Sequence, residues 1–169
     1  MPMRGVVLEA VQRWPGIHAR ALERELGLPS KLATYHLQLL EEAGLVQHVA
    51  EPGHVRYFAR VGTPRLPPRD VEFVCLLRRP VNLRLVLELL ARGTADHKAL
   101  TEALGLAKAS VTYHLQQLAH AGIVTAEAAG RRRIQRLADP AWVRGVLANF
   151  TPLSDDRDAF DAVWGDLTA

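Results

Sequence analysis

The sequence predicts a mainly α-helical protein in which two similar units, each with a small β-hairpin, follow one another and further helices come after them. The main observation is a repeat: TYHLQ stands at 34–38 and again at 112–116. Residues 21–46 align without a gap to residues 99–124, and 14 of the 26 positions are identical. A repeat of this length indicates a duplicated supersecondary unit, so both copies are expected to do the same thing.

Within each unit, apolar residues recur at the spacing of an α-helix, and a Leu-Gly-Leu sequence marks a turn between two helices. A further helix precedes them, VVLEAVQRW in the first unit and LRLVLELLARG in the second. The segments that follow, LVQHVAEPGHVRYFAR and IVTAEAAGRRRIQRLA, each predict two short strands around a glycine turn. We expect the second hairpin loop to be one residue shorter, because its glycine follows the strand sooner.

Three helices and then a two-stranded hairpin, with a tight turn between the second and third helix, is the order of a winged helix-turn-helix. LGLPSKLATYHLQLLEEAGLV and LGLAKASVTYHLQQLAHAGIV resemble the recognition-helix segments of winged-helix transcription regulators of the ArsR and MarR type. The resemblance implies two tandem winged helix-turn-helix domains that bind DNA through their third helices. We expect these recognition helices to open at Pro29 and Ala107.

The outward face of each recognition helix supplies the predicted DNA contacts. At 100° per residue, Ala33 and Leu37 share a buried seam, whereas the polar members of TYHLQ point away from it. Gln pairs with adenine, Lys bonds guanine or phosphate, and Thr touches polar base edges or the thymine methyl. The predicted contacts are Ser30, Lys31, Thr34, Tyr35 and Gln38 in the first unit, and Lys108, Thr112, Tyr113 and Gln116 in the second. Slow drift after duplication is the alternative explanation of the shared surface residues.

Two kinds of residue flank these faces. His36 and His114 lie on the border of the seam, where a half-buried histidine bonded to a carbonyl is favoured over a phosphate contact. The densest basic cluster lies on the second hairpin, and arginines at such a wing lie along the phosphate backbone. A solvated turn that protects an edge strand is the alternative. The predicted wing contacts are Arg131, Arg132 and Arg133, with Arg136 nearby, and more weakly Arg56 and His54 in the first wing.

The predicted domain boundaries follow from composition. We expect winged helix-turn-helix domains at 1–62 and 81–138, separated at 63–80 by a Pro-rich linker with a short helix in which Cys75 is a small buried hydrophobe. C-terminal helices are expected at 139–169, one starting at Asp139 and Pro140 and one capped near Ser154. The last helix carries an apolar stripe that either packs across the two units or forms a homodimer. Its members are Phe160, Val163, Trp164 and Leu167.

Several classes of protein are disfavoured. A single cysteine excludes an intramolecular disulfide and a thiolate zinc cluster, and no nucleophile elbow or phosphate-binding glycine loop is present, so we expect neither enzyme activity nor a cofactor. A metal site between chains that uses His97 or His120 stays open. The short N-terminal apolar run and the charges Arg84 and Glu88 inside the most apolar stretch indicate a cytoplasmic protein that does not enter a membrane.

The charge is net +3, and residues 66–150 hold 12 Lys or Arg against 7 Asp or Glu. This balance suits an acidic partner. The sequence therefore predicts a DNA-binding transcription regulator with two readers in one chain and double-stranded DNA as partner. The alternative is a tandem winged-helix protein-interaction or scaffold subunit of a chromosome-organising or transcription complex.

Overall fold

The structure, a computed structural model, describes residues 2–169. It divides into two compact units, one ending at Cys75 and one beginning at Leu76. The division falls inside α4 (Pro68–Leu77), within the segment predicted as a linker. Phe73, Val74 and Cys75 on this helix are buried, so the helix contributes to a core and the expectation for Cys75 is confirmed.

The first unit has three helices and then a two-stranded antiparallel hairpin. Its second helix is capped by His18, whose Nδ1 accepts a hydrogen bond from the backbone nitrogen of Ala21 at 3.0 Å, and it ends at Gly27 with a φ of 64°. A side-chain acceptor at this position satisfies one of the free N–H groups of the first turn. The elements are α1 (Met3–Arg13), α2 (Ala19–Leu26), α3 (Leu32–Glu42), β1 (Val46–Glu51) and β2 (His54–Ala59).

The second unit repeats this order and adds to it. A short strand, which sequence patterns did not predict, joins the hairpin to give a three-stranded antiparallel sheet in the order β3-β5-β4. The elements are α5 (Pro80–Arg92), β3 (Thr94–Asp96), α6 (His97–Leu104), α7 (Lys108–His120), β4 (Val124–Ala129), β5 (Arg132–Leu137), α8 (Pro140–Ala148), a 3-10 turn at Ser154–Asp156 and α9 (Arg157–Thr168). The first unit has a single bridge, Ile17 to Tyr57, where the second has β3.

Helix α5 is the centre of the second unit. Seven of its thirteen residues are buried, including the consecutive Leu85, Val86 and Leu87. Because consecutive residues lie about 100° apart around a helix, this helix requires neighbours on more than one side. It contacts α6, α7, α9 and the sheet. Phe160 on α9 is 4% exposed and its ring lies 6.0 Å from that of Phe150. Phe160 is therefore covered by its own unit, whereas the other three residues of the stripe, Val163, Trp164 and Leu167, are half-buried. For these three, packing across the units and a homodimer both stay predictions.

The predicted difference in wing length is wrong. Both hairpins close with two-residue turns, Pro52–Gly53 between the paired Glu51 and His54, and Gly130–Arg131 between the paired Ala129 and Arg132. The glycine has moved from the second turn position to the first, with φ values of 80° and 63°. The lengths match, and the position of the glycine within the turn differs.

Two smaller expectations concern helix ends and membranes. Asp139 caps α8 as predicted, because its Oδ1 accepts a hydrogen bond from the nitrogen of Trp142 at 3.1 Å. Ser154 lies in a 3-10 turn, and α9 begins only at Arg157. None of the helices formed by residues 2–169 has the length and apolar character needed to cross a membrane.

Candidate nucleic-acid interface

Helix α3 has one buried and one exposed face, as its sequence predicts. Ala33 and Leu37 are fully buried and Leu40 is 4% exposed. On the opposite side, Tyr35 is 57% exposed, and the neighbouring Thr34 and Gln38 are exposed as well. Gln38 Nε2 donates to Glu42 Oε1 at 3.2 Å. This contact is at the surface and can be exchanged for a base edge.

Helix α7 presents the same face in the second unit. Val111, Leu115 and Leu118 are buried on its inner side. Tyr113 is 54% exposed, and its hydroxyl accepts a hydrogen bond from Gln117 Nε2 at 3.0 Å. Lys108 and Gln116 are exposed, whereas Thr112 is half-buried.

The two recognition helices, α3 and α7, are the reader helices of the two units, and they begin differently. Helix α7 begins at Lys108, one residue after the predicted position, but α3 begins at Leu32 instead of Pro29. The cause is Glu23 on α2, whose Oε1 accepts a hydrogen bond from the Lys31 backbone nitrogen at 2.7 Å while Lys31 adopts a left-handed φ of 70°. Ser30 and Lys31 therefore lie in the turn before the helix, both exposed.

The border histidines have separate environments. His114 is half-buried with its Nδ1 2.9 Å from Asn82 Oδ1, and the fully buried Asn82 donates through Nδ2 to the carbonyl of Leu76 at 3.1 Å. Burial, and then the charge of Arg79, lower the pKa of His114, so the neutral ring donates to Asn82. The carbonyl partner expected for His114 is thus present, and it is the side-chain amide oxygen of Asn82. Nδ1 of His36 is buried without a hydrogen-bond partner among residues 2–169.

The second wing carries an exposed row of arginines, of which two are paired with acids. Arg132 Nη1 lies 3.5 Å from Asp96 Oδ2, and Arg136 forms an ion pair with Glu127. Arg131 and Arg133 are exposed and, within the described part of the chain, form no ion pair. These two free arginines, Arg131 and Arg133, have their full charge available for a phosphate.

The prediction that Arg56 contacts DNA is wrong. Its side chain is 2% exposed, with Nε donating to Glu51 Oε1 at 2.7 Å and Nη1 lying 3.5 Å from the carbonyl oxygen of Gly16. The guanidinium ties the wing to the turn between α1 and α2, because a buried arginine must find acceptors within the protein. His54 is exposed and its ring stacks on His18 at 5.3 Å.

Sequence reasoning missed two residues that contact the reader helices from the helix before. Glu23 holds the turn that precedes α3, and His97 contacts α7 through Thr112. The sequence did contain one signal for them, because the two units differ at these positions. The repeat, whose copies are 78 residues apart, aligns Glu23 with Thr101 and His97 with Ala19. Residues 2–169 contain no group of three His, Cys, Asp or Glu arranged to hold a metal ion.

A family model described as MarR family matches residues 2–56. The HTH-type transcriptional repressor SmtB of Mycobacterium tuberculosis is 36% identical over 113 residues, which cover 63% of this chain and 79% of SmtB. The chain belongs to the ArsR/MarR-type winged helix-turn-helix regulators. This membership confirms the resemblance seen in the sequence, and it is a family of transcription regulators, not of enzymes.

Other matches to this ArsR/MarR-type regulator are more distant. The uncharacterised HTH-type transcriptional regulator MJ1398 of Methanocaldococcus jannaschii is 27% identical over 118 residues, 70% of this chain and 29% of that protein. Among solved structures, the homodimeric winged helix-turn-helix domain of Mb0332 from Mycobacterium bovis has a TM-score of 0.35 at 24% identity, covering 51% and 85% of the two chains. NadR in complex with 4-hydroxyphenylacetate has a TM-score of 0.37 at 19% identity, covering 63% and 88%.

Proposed function

We propose that this ArsR/MarR-type regulator binds duplex DNA with two readers on one polypeptide, α3 and α7. The observation that carries the proposal is the exposure of Tyr35 and Tyr113, at 57% and 54%. A core requirement explains the repeated Leu37 and Leu115, but it does not explain two aromatic rings held in solvent at matching positions. Exposed aromatic and polar residues on a fixed scaffold mark a binding surface.

The groups around each tyrosine suit the major groove. The exposed Gln38 and Gln116 each carry a donor and an acceptor for the adenine edge, and the exposed Lys31 and Lys108 reach guanine or phosphate. Base contacts of this kind specify sequence, whereas phosphate contacts fix position. The reader helices would therefore provide specificity, and the free arginines of the second wing would provide affinity.

The first test is the affinity of the full chain for a random-sequence duplex across a salt series. Each neutralised phosphate contributes about −0.9 to the slope of log affinity against log salt. A steep slope supports the proposal. A flat response would contradict DNA binding and would mean that the TYHLQ faces bind a protein, as in the interaction-module alternative, or bind nothing.

A second test separates the two readers. We expect the double variants Tyr35→Ala/Gln38→Ala and Tyr113→Ala/Gln116→Ala each to weaken binding to a duplex selected from a random pool by about tenfold or more, since a bidentate base contact is worth about 1–3 kcal/mol. The random-sequence duplex is the internal control, because loss of base contacts should leave its salt slope unchanged. If one variant has no effect on the selected duplex, that helix is not a reader.

Two readers on one chain also set the distance between the two half-sites that the DNA must provide. Readers that enter successive major grooves on one side of a duplex need half-sites with centres about 34–36 Å apart. A homodimer would present four readers, and light scattering of the free protein and of its DNA complex measures which assembly forms. Selected duplexes that carry only one half-site per bound chain would contradict the two-reader part of the proposal.

A further inference from the structure

The two reader helices share TYHLQ, but the helices before them differ at the positions that touch the readers. In the second unit, His97 at the first position of α6 lies against Thr112, and Nε2 is 2.8 Å from the Thr112 hydroxyl. The residue at the same position in the first unit is Ala19. A methyl group cannot form this hydrogen bond.

The hydrogen bonds around His97 leave the Thr112 hydroxyl occupied. Thr101 Oγ1 donates to the carbonyl of His97 at 2.7 Å, so its oxygen accepts from His97 Nδ1 at 3.1 Å. With the proton on Nδ1, the neutral ring offers Nε2 as an acceptor for the Thr112 hydroxyl. The remaining acceptor within reach of that hydroxyl is the Lys108 carbonyl at 3.0 Å, four residues back in the helix. The single hydroxyl proton of Thr112 is therefore used inside the protein in either arrangement.

The hydroxyl of Thr34, the equivalent residue in α3, differs from that of Thr112 in its hydrogen bonding. Thr34 is exposed, and its hydroxyl forms no hydrogen bond with any residue from 2 to 169. Its i−4 residue is Ser30, which lies outside α3 because Glu23 holds the turn before that helix. Thr34 thus keeps a donor and two acceptor lone pairs for an outside partner.

We propose that His97 is a positioning residue that makes the two identical reader faces chemically different. This inference rests on the proposed DNA-binding function. By holding the Thr112 hydroxyl, His97 leaves the Thr112 methyl as the group offered to DNA, which suits the thymine C5-methyl. Thr34 presents its hydroxyl and reads a polar base edge. The two readers then prefer different bases at the same position of their half-sites.

Threonine-to-valine substitutions test this, because valine has nearly the same shape and lacks the hydroxyl. The probe is a duplex selected from a random-sequence pool by the full chain. We expect Thr34→Val to weaken binding by about fivefold, corresponding to loss of one hydrogen bond, and Thr112→Val to change it less than about twofold. Both variants should keep the salt slope of the native chain, since neither removes a phosphate contact.

Substitution of His97 supplies the control on mechanism. In a His97→Ala background the Thr112 hydroxyl keeps only the Lys108 carbonyl as a partner. That carbonyl is four residues back in the same helix, and the hydroxyl can exchange it for a base edge, so adding Thr112→Val should now weaken binding to the duplex selected by that background by about fivefold. His97→Gln retains an amide that bonds Thr112 and should restore the insensitivity. Melting curves of every variant show that the comparison is made on folded protein.

The outcomes separate the two proposals. Equal losses for Thr34→Val and Thr112→Val, or a Thr112→Val effect that His97→Ala does not alter, overturn the role of His97 while two-reader binding stands. If the random pool yields no selected duplex and the salt response is flat, the proposed function fails and this inference fails with it.

Discussion

The second wing offers a sharp prediction, because four arginines on one hairpin fall into two matched pairs. Arg131 and Arg133 are free, whereas Arg132 and Arg136 lie against Asp96 and Glu127. The double variants Arg131→Ala/Arg133→Ala and Arg132→Ala/Arg136→Ala remove the same formal charge. We expect only the first to remove about two phosphate contacts, since a paired arginine must first leave its carboxylate.

The magnitude follows from counterion release. Two contacts at about 0.9 each lower the slope of log affinity against log salt by about 1.8. Between 50 and 200 mM salt this corresponds to about a twelvefold smaller loss of affinity than in the native chain. For the paired arginines we expect a slope change below about 0.5.

Fluorescence anisotropy of a labelled random-sequence duplex, measured across this salt range, gives all three slopes. The melting temperature of each variant checks the fold, and surface substitutions of this kind should leave it unchanged. Equal slope changes for the two double variants would refute the reasoning, because the pairing seen in the free protein would then have no influence on phosphate contact.

Three further predictions concern the first unit. Burial, and then the charge of Arg56, lower the pKa of His18 from 6.5 to about 4, so its stabilising contribution is full above pH 6.5 and is lost as the pH falls towards 4. For this half-buried group we expect the free energy of unfolding, measured by denaturant titration, to be about 1–2 kcal/mol lower at pH 4 than at pH 6.5. The variant His18→Asn, which has a neutral cap, should abolish this difference. Arg56→Ala should cost about 3 kcal/mol of stability because it removes a buried guanidinium that is bonded to Glu51 and lies against the Gly16 carbonyl, and an unchanged urea midpoint would contradict the ion pair. Lys31→Gly should stabilise the unit by about 0.5–1 kcal/mol by removing left-handed strain, whereas a lower urea midpoint would show that the strain is small.

Much of the fold was predictable because buried residues recur at a regular spacing along each helix. The seam of α3 and α7, with Leu37 and Leu115 facing inward, follows from helical spacing alone, and the glycine after each preceding helix marks where it ends. Strand β3 was missed because the three residues Thr94–Asp96 are too few to show an alternating pattern.

The errors in the site arose from contacts between residues distant in sequence. Arg56 is charged and lies on a wing, and its burial depends on Gly16, forty residues earlier, which no local pattern reveals. The late start of α3 depends on the Glu23 side chain accepting from Lys31. Local propensity was overridden in both cases by one hydrogen-bonded partner.

Because α9 packs against α5, the cores of the two units are completed at different stages of protein synthesis. The elements of the first unit are contiguous up to Cys75, so its core can close early. The second cannot close until α9 has been made, and at about 5–20 residues per second the ribosome needs roughly 5 to 20 s to travel from Leu76 to α9. Until then the leucine-rich α5 is covered by α6, α7 and the sheet but lacks the cover that α9 provides, and this open face is the part of the nascent unit that chaperones would bind.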